Sequence, residues 1–164
     1  TEENPVFEGQ FYKIDGAINQ PKPIQKPYPP LWVCGGGEKV TLKLLARYGD
    51  YGNWDVDVDG FINKSNILQD HCDKENREYS EIGRTLHTNV LIAEDQNKLD
   101  AKIEKLSSYT NIPKDYYYER PLIGLEDEVF DTLNQYKEAG CTYLIAYIPD
   151  IVWGDTLDIL SKLN

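Results

Sequence analysis

Along this chain, short apolar runs alternate with segments in which apolar residues recur at helical spacing. Four apolar runs have the composition of strands, at residues 31–34, 51–54, 84–93 and 142–148. Continuous apolar runs of this length are typical of strands buried on both faces of a parallel sheet. We therefore expect parallel strands, with the runs at 31–34 and 142–148 buried in the sheet.

Between and after these runs, apolar residues recur every three or four positions, which is the spacing of amphipathic helices. The pattern predicts helices over residues 38–48, 60–75, 95–107, 126–139 and 154–163. Asp95 is a candidate N-cap and Gly140 a candidate C-cap. The residues expected on the buried faces are Leu42, Leu45, Ala46, Gly49, Phe61, Ser65, Leu68, Cys72, Leu99, Ile103, Leu106, Val129, Phe130, Leu133 and Tyr136.

The order of these elements predicts the fold class. Strands and helices alternate and no hairpin signal follows residue 20, which indicates a parallel α/β architecture. The pattern leaves open whether the sheet closes into a barrel or stays open and doubly wound. Before the first strand, residues 6–14 predict a short hairpin around Gly9 or an excursion on the surface. Residues 19–30 carry five prolines, which exclude helix and central strand. Residues 109–120 are expected to be irregular.

Composition narrows the range of partners. Of the 164 residues, 28 are acidic and 17 basic, for a formal charge of −11. Such a balance argues against nucleic acid or an anionic membrane as the main partner, because phosphate groups attract clustered lysine and arginine. No apolar run approaches the length of a membrane span, and no signal-peptide pattern is present. We expect a single domain over residues 1–164, located in the cytoplasm.

Cysteine and methionine content add two expectations. Cys34, Cys72 and Cys141 are odd in number and widely spaced, which predicts buried thiols without a disulfide or metal-binding pattern. Methionine is absent, even from position 1. We expect residues 1–164 to be a piece of a longer protein, the alternative being a trimmed tag or a processed first methionine.

The three consecutive glycines at residues 35–37 are the main candidate for chemistry. They join a predicted strand to a predicted helix, and such a turn leaves backbone N–H groups unpaired at the helix N-terminus. Unpaired N–H groups of this kind form a site for an anion, usually a phosphate. The alternative is a simple turn without a ligand.

Residues 7–53 resemble the middle of the sequences of luciferase-like monooxygenases. In that family a proline-rich segment is followed by an apolar strand, two glycines and a helix. The residues that match are Phe7, Gly9, Tyr12, Pro21, Pro23, Gln25, Pro27, Pro29, Pro30, Gly35, Gly36, Leu42, Ala46, Asp50 and Asn53. Residues 124–129 and 136–140 resemble the family's late helix and its approach to the final strand. Leu125 departs from the family pattern, which commonly has a helix-capping Thr or Ser at that place.

The resemblance implies a TIM (β/α)8 barrel, of which this chain is the C-terminal half, with about four β/α units over residues 31–164 and a surface excursion over residues 1–30. It implies an oxidoreductase or monooxygenase that binds coenzyme F420 or FMN at the C-terminal end of the barrel and acts on a small molecule. The residues of the glycine segment resemble those of the family's F420-dependent branch more closely than those of its FMN-dependent branch. By this resemblance, Gly35, Gly36, Gly37 and Lys39 bind the cofactor phosphate, while the catalytic residues lie upstream of Thr1.

Other residues that could carry chemistry have simpler interpretations. His71 is expected to be solvated, Cys34 to be a small core residue, and the tyrosines at 116–118 to pack a loop. The acidic residues Asp55, Asp57 and Asp59 resemble part of a calcium loop, but position 66 is Asn where that loop needs Glu, so no metal is expected. His87 is left as a minor candidate for a catalytic role.

Two classes of function therefore remain. The first is the luciferase-like oxidoreductase, whose isolated segment is expected to be inactive. The second is a non-catalytic half-barrel that binds an anion or self-associates through open sheet edges, because unpaired edges invite pairing with another chain. We expect a homo-oligomer, most simply a dimer.

Overall fold

A computed structural model describes residues 2–162 of the chain. The chain consists of two compact units, of which the first ends at Leu31 and the second begins at Trp32. In the first unit, β1 (Val6–Glu8) pairs antiparallel with β2 (Lys13–Asp15), as the sequence predicts. No helix or strand follows in residues 16–31, in agreement with the proline content. The expectation of one domain over residues 1–164 stays a prediction.

The second unit alternates strands and helices. Its elements are β3 (Trp32–Cys34), α1 (Thr41–Tyr48), β4 (Tyr51–Trp54), α2 (Val58–Glu75), β5 (Gly83–Asn89), β6 (Leu91–Ala93), α3 (Gln96–Thr110), α4 (Lys114–Tyr118), β7 (Ile123–Leu125), α5 (Glu126–Glu138), β8 (Tyr143–Tyr147) and α6 (Thr156–Leu160). A short 3-10 helix spans Tyr79–Glu81. Residue 163, the last of the predicted closing helix, lies outside the described residues.

The main sheet has four strands in the order β3-β4-β5-β8, and every neighbouring pair is parallel. The four predicted strands and their parallel pairing are therefore confirmed. The predicted strand at 84–93 is divided at Val90 into β5 and β6, and β6 pairs in parallel with β7. Three short elements were not predicted: β7, the 3-10 helix at Tyr79–Glu81, and the helix α4, which lies in the segment expected to be irregular.

The prediction that β3 and β8 are buried is wrong. Trp32 is 41% exposed and Tyr143 is 57% exposed, although their rings lie 6.0 Å apart on one face of the sheet. β3 and β8 are the outer strands of this sheet, so each has one hydrogen-bonding neighbour in it. Cys34, expected in the core, is exposed for the same reason.

Helices cover the opposite face of the sheet. The buried cluster there contains the predicted faces of α1 and α2 together with residues of β4 and β5. Phe61 is fully buried and makes edge-to-face contacts with Trp54 and Tyr136, at centroid distances of 5.1 and 5.8 Å. These contacts fix α2 against both the sheet and α5.

Local interactions explain where the helices begin and end. Asp57 accepts a hydrogen bond from the Gly60 N–H at the start of α2, two residues before the predicted start. Asp95 caps α3 as predicted. Leu125 has no capping side chain, but Glu128 reaches back to accept from the Leu125 N–H at 3.1 Å. Residue 140 follows α5 with φ of +88°, a conformation that favours its glycine.

A buried ion cluster ties α3 to the chain after β8. The Lys102 Nζ lies 2.7 Å from Asp150 Oδ2 and 2.5 Å from Asp155 Oδ1, and it donates to the Ile92 carbonyl at 2.6 Å. The Asp150 side chain is fully buried, and Thr156 also donates to it. Because Lys102 donates a hydrogen bond to Asp155, the pKa of that carboxyl is lowered.

The tyrosines at 116–118 pack the segment after α3. Tyr117 is buried with its hydroxyl 2.9 Å from the Thr110 hydroxyl, and Tyr118 donates to Asp100 at 2.7 Å. This hydrogen bond raises the pKa of Tyr118 to about 12.

No helix in the described part of the chain combines the length and apolar character needed to cross a bilayer.

Candidate functional site

The glycine turn, residues 35–37, lies at the carboxyl end of β3. Cys34 pairs with Asn53 of β4, and the next N–H, that of Gly35, donates to the Asn53 carbonyl at 3.2 Å. Gly35 has φ of +103°, which side chains rarely allow. The turn therefore begins where the parallel strands end, which is where barrel enzymes build their sites.

Gly36 and Gly37 have little room for a side chain. A Cβ added to Gly36 would lie 3.1 Å from Lys64 Cε, and one added to Gly37 would lie 2.7 Å from the Thr41 hydroxyl oxygen. The second distance is shorter than real Cβ contacts. Both positions therefore bring the backbone close to neighbouring groups.

The N-terminus of α1 is open to an anion. Val40, its N-cap, provides no side-chain hydrogen bond, and the first turn has no acidic residue. The backbone N–H groups of residues 36–40 make no hydrogen bond to another part of residues 2–162. Unpaired N–H groups and the positive end of the helix dipole both favour a negative charge at this place.

Lys64 of α2 brings a positive charge to the turn. Its side chain is 16% exposed, its stem lies against Gly36, and its ammonium is 2.7 Å from Glu38 Oε1. The hydrogen bond and charge of Lys64 lower the pKa of Glu38. His71, also of α2, places its Nε2 2.8 Å from the Glu38 carbonyl oxygen. The ion-pair partner of the Lys64 ammonium is therefore the carboxylate of Glu38, the residue directly after the turn.

The four residues predicted to bind phosphate all lie in the segment that joins β3 to α1. Gly35, Gly36 and Gly37 are consecutive, and Lys39 is exposed beside Glu38, whose pKa its charge also lowers. Sequence reasoning missed Lys64, because it lies 26 residues from Glu38 and shares no motif with the glycines. Phosphate binding by these residues stays a prediction.

A polar strip lies beside the turn on the open face of the sheet. Thr85 Oγ1 is 2.9 Å from Asn53 Oδ1, and the Asn53 amide donates to Cys34 Sγ at 3.8 Å. His87 lies two residues further along β5 and is exposed. Below the strip, Trp32 stacks on Tyr51 with centroids 4.4 Å apart.

The acidic residues after β4 are used for structure. Asp55 forms an ion pair with Arg120 at 3.1 Å, and Asp57 caps α2. Within residues 2–162 no group of His, Cys, Asp and Glu side chains is arranged to hold a metal ion.

Comparison with known proteins shows the fold. No protein-family model matches the chain. An FMNH2-dependent dimethylsulfone monooxygenase from Pseudomonas putida is 31% identical over 51 residues, which are 31% of this chain and 14% of that protein. A solved F420-dependent secondary alcohol dehydrogenase has a TM-score of 0.77 and 16% identity, covering 100% of this chain and 56% of its own. A monooxygenase from Streptomyces bottropensis has a TM-score of 0.74 and 18% identity over 98% of this chain and 55% of its own.

The chain therefore spans about half the length of these solved structures. At this level of identity the likeness shows the fold. The predicted resemblance to luciferase-like monooxygenases and F420-dependent oxidoreductases is confirmed at that level, as is a fold of half a TIM barrel.

Proposed function

We propose that this chain is part of an oxidoreductase of the luciferase-like class, which uses coenzyme F420 or FMN at the carboxyl ends of its barrel strands. The observation that carries the proposal is the glycine turn, where unpaired N–H groups and the Lys64 ammonium meet in an otherwise acidic chain. The named cofactors of the similar proteins support it, since one is F420-dependent and another FMNH2-dependent. The substrate is then a small molecule.

The residues present fit the phosphate end of such a cofactor. Gly36 and Gly37 offer backbone N–H groups without side chains that would hold a phosphate away, and Lys39 and Lys64 add positive charge. The Gly35 N–H already donates to the Asn53 carbonyl, so Gly35 contributes the turn itself rather than a free donor. When bound, F420 or FMN supplies the hydride-transfer chemistry. The role of this chain is to bind and orient the phosphate end.

The first test measures FMN and F420 binding by fluorescence titration. Replacing Lys64 with Met is expected to weaken FMN binding by about 10- to 100-fold, since hydrogen bonds to charged groups contribute about 1.5–3 kcal/mol. Lys39→Met is expected to have a smaller effect, because that side chain is exposed.

Two controls make the test specific. Riboflavin lacks the phosphate, so its affinity is expected to be the same for the Lys64 variant and the parent protein. Lys74→Met removes an exposed lysine from the last turn of the same helix and is expected to leave FMN binding unchanged. If neither FMN nor F420 binds the parent protein, the proposal is wrong.

Glu38 provides a prediction of opposite sign. Its carboxylate pairs with Lys64 and would lie close to an incoming phosphate. Replacing Glu38 with Gln is expected to tighten FMN binding, because the Glu38 carboxylate and the phosphate carry like charges that repel each other. The same titration measures the change. An unchanged or weaker affinity would show that Glu38 and the phosphate do not compete for Lys64.

A second candidate is a non-catalytic half-barrel that self-associates. It is favoured by the exposed aromatic residues on the open face, Trp32 and Tyr143, which lie on the two outer strands. Sedimentation velocity separates the candidates. A dimer that binds inorganic phosphate but neither cofactor would support this candidate, whereas cofactor binding that depends on Lys64 would support the oxidoreductase.

A further inference from the structure

We propose a second ligand site, for a small organic anion with an apolar body, between the C-terminal half of α3 and the segment that follows β8. The site is a cavity of about 410 Å3, and its lining residues are Lys105, Leu106, Tyr109, Pro149, Val152 and Trp153. It has the size of ordinary small-molecule pockets and shares no residue with the glycine turn. The inference goes beyond the proposed function and does not depend on it.

Lys105 supplies the charge of the site. Its ammonium lies 3.9 Å from the centroid of the Trp153 ring, a cation–π contact that holds it at the cavity. Within residues 2–162 it forms no ion pair with a carboxylate. An ammonium has three donors, so the ring leaves donor capacity for a ligand.

Lys105 differs in this respect from the other lysines of α3. The helix carries three lysines, and the other two are paired: Lys98 with Glu94, and Lys102 with Asp150 and Asp155. Glu104, next to Lys105, is paired with Lys114. A lysine without a carboxylate partner in a chain of charge −11 therefore marks a local positive point. The charge complementarity of the cavity favours an anion.

The remaining lining selects an apolar body. Leu106 is 3% exposed and forms the floor, whereas Val152 and Tyr109 are 91% and 87% exposed at the rim. Exposed apolar side chains around a concave surface are typical of a binding site. A carboxylate on Lys105 with its hydrocarbon chain against Leu106 and Val152 would satisfy both parts of the cavity.

The test uses octanoate as the probe and octan-1-ol as its uncharged counterpart, both measured by isothermal titration calorimetry. We expect octanoate to bind more tightly than octanol, and Lys105→Met to weaken octanoate binding about tenfold, the usual scale of a charge-assisted hydrogen bond. Octanol binding should be unchanged in that variant. Lys105→Arg keeps the charge and should retain octanoate binding, which separates loss of charge from loss of fold.

Three results would overturn the inference. These are no octanoate binding at millimolar concentration, equal binding of octanoate and octanol, or octanoate binding that is unchanged in Lys105→Met. Sedimentation velocity on Val152→Asp tests whether a second copy of the chain occupies this surface instead. If the parent protein forms a dimer that this variant abolishes, and the parent does not bind octanoate, the surface is assigned to a second copy of the chain. FMN titration of the same samples reports separately on the glycine turn.

Discussion

Replacing Lys102 with Met is expected to lower the free energy of unfolding by about 3–5 kcal/mol, the usual effect of removing one partner from a buried ion pair. The Asp150 side chain is fully buried, and Lys102 is the only cation within 4 Å of it among residues 2–162. Without the ammonium, the Asp150 carboxylate would be a buried charge with no cation beside it, which costs stability even though Thr156 donates a hydrogen bond to it. Urea unfolding measures the change.

The matched control lies four residues earlier on the same helix. Lys98 pairs with Glu94 and its side chain is 52% exposed, so Lys98→Met is expected to lower the free energy of unfolding far less than Lys102→Met does. Adding Asp150→Asn to Lys102→Met should restore part of the loss, because the unpaired charge is then absent. If Lys102→Met and Lys98→Met cost the same, the ion cluster does not stabilise the fold.

Replacing Phe61 with Ala is expected to lower the free energy of unfolding by a similar amount, about 3–5 kcal/mol. Phe61 is fully buried and packs edge-to-face on Trp54 and Tyr136, so its removal leaves a cavity between β4, α2 and α5. Denaturant unfolding followed by circular dichroism measures the loss.

Ile62 provides the comparison for this variant. It is the next residue of α2, and it is 42% exposed. Ile62→Ala should therefore lower the free energy of unfolding much less than Phe61→Ala does, since surface substitutions usually change stability by about 0.5 kcal/mol or less. Equal losses for the two variants would contradict the assignment of Phe61 to the core.

The four longer helices, α1, α2, α3 and α5, were predicted well because each has an apolar face, whereas the closing helix α6 is shorter than the predicted range of residues 154–163. The residues expected on the buried faces of α1 and α2 are buried, and the capping role of Asp95 is confirmed. The short elements β7 and α4 were missed, since three to five residues are too few to show a period. Their structure depends on packing partners in β6 and α3.

The outer strands were interpreted wrongly for a different reason. A continuous apolar run looks the same whether it lies in the middle of a sheet or at its edge, because position in the sheet is a property of the neighbours. In β3, Val33 packs against the core while Trp32 and Cys34 are exposed. The aromatic residues on the open face were therefore taken for core.

The amino-acid sequence by itself determined the order of strands and helices, their parallel pairing and the position of the glycine turn, because apolar periodicity and glycine conformation are local properties. Tertiary structure alone decided what surrounds the turn. Lys64 reaches Gly36 only because consecutive β/α units bring α2 beside the N-terminus of α1. In the same way, the charge balance of α3 depends on Asp150 and Asp155, about 50 residues away. Which lysines are paired, and which remain available to an anion, is a property of the folded chain.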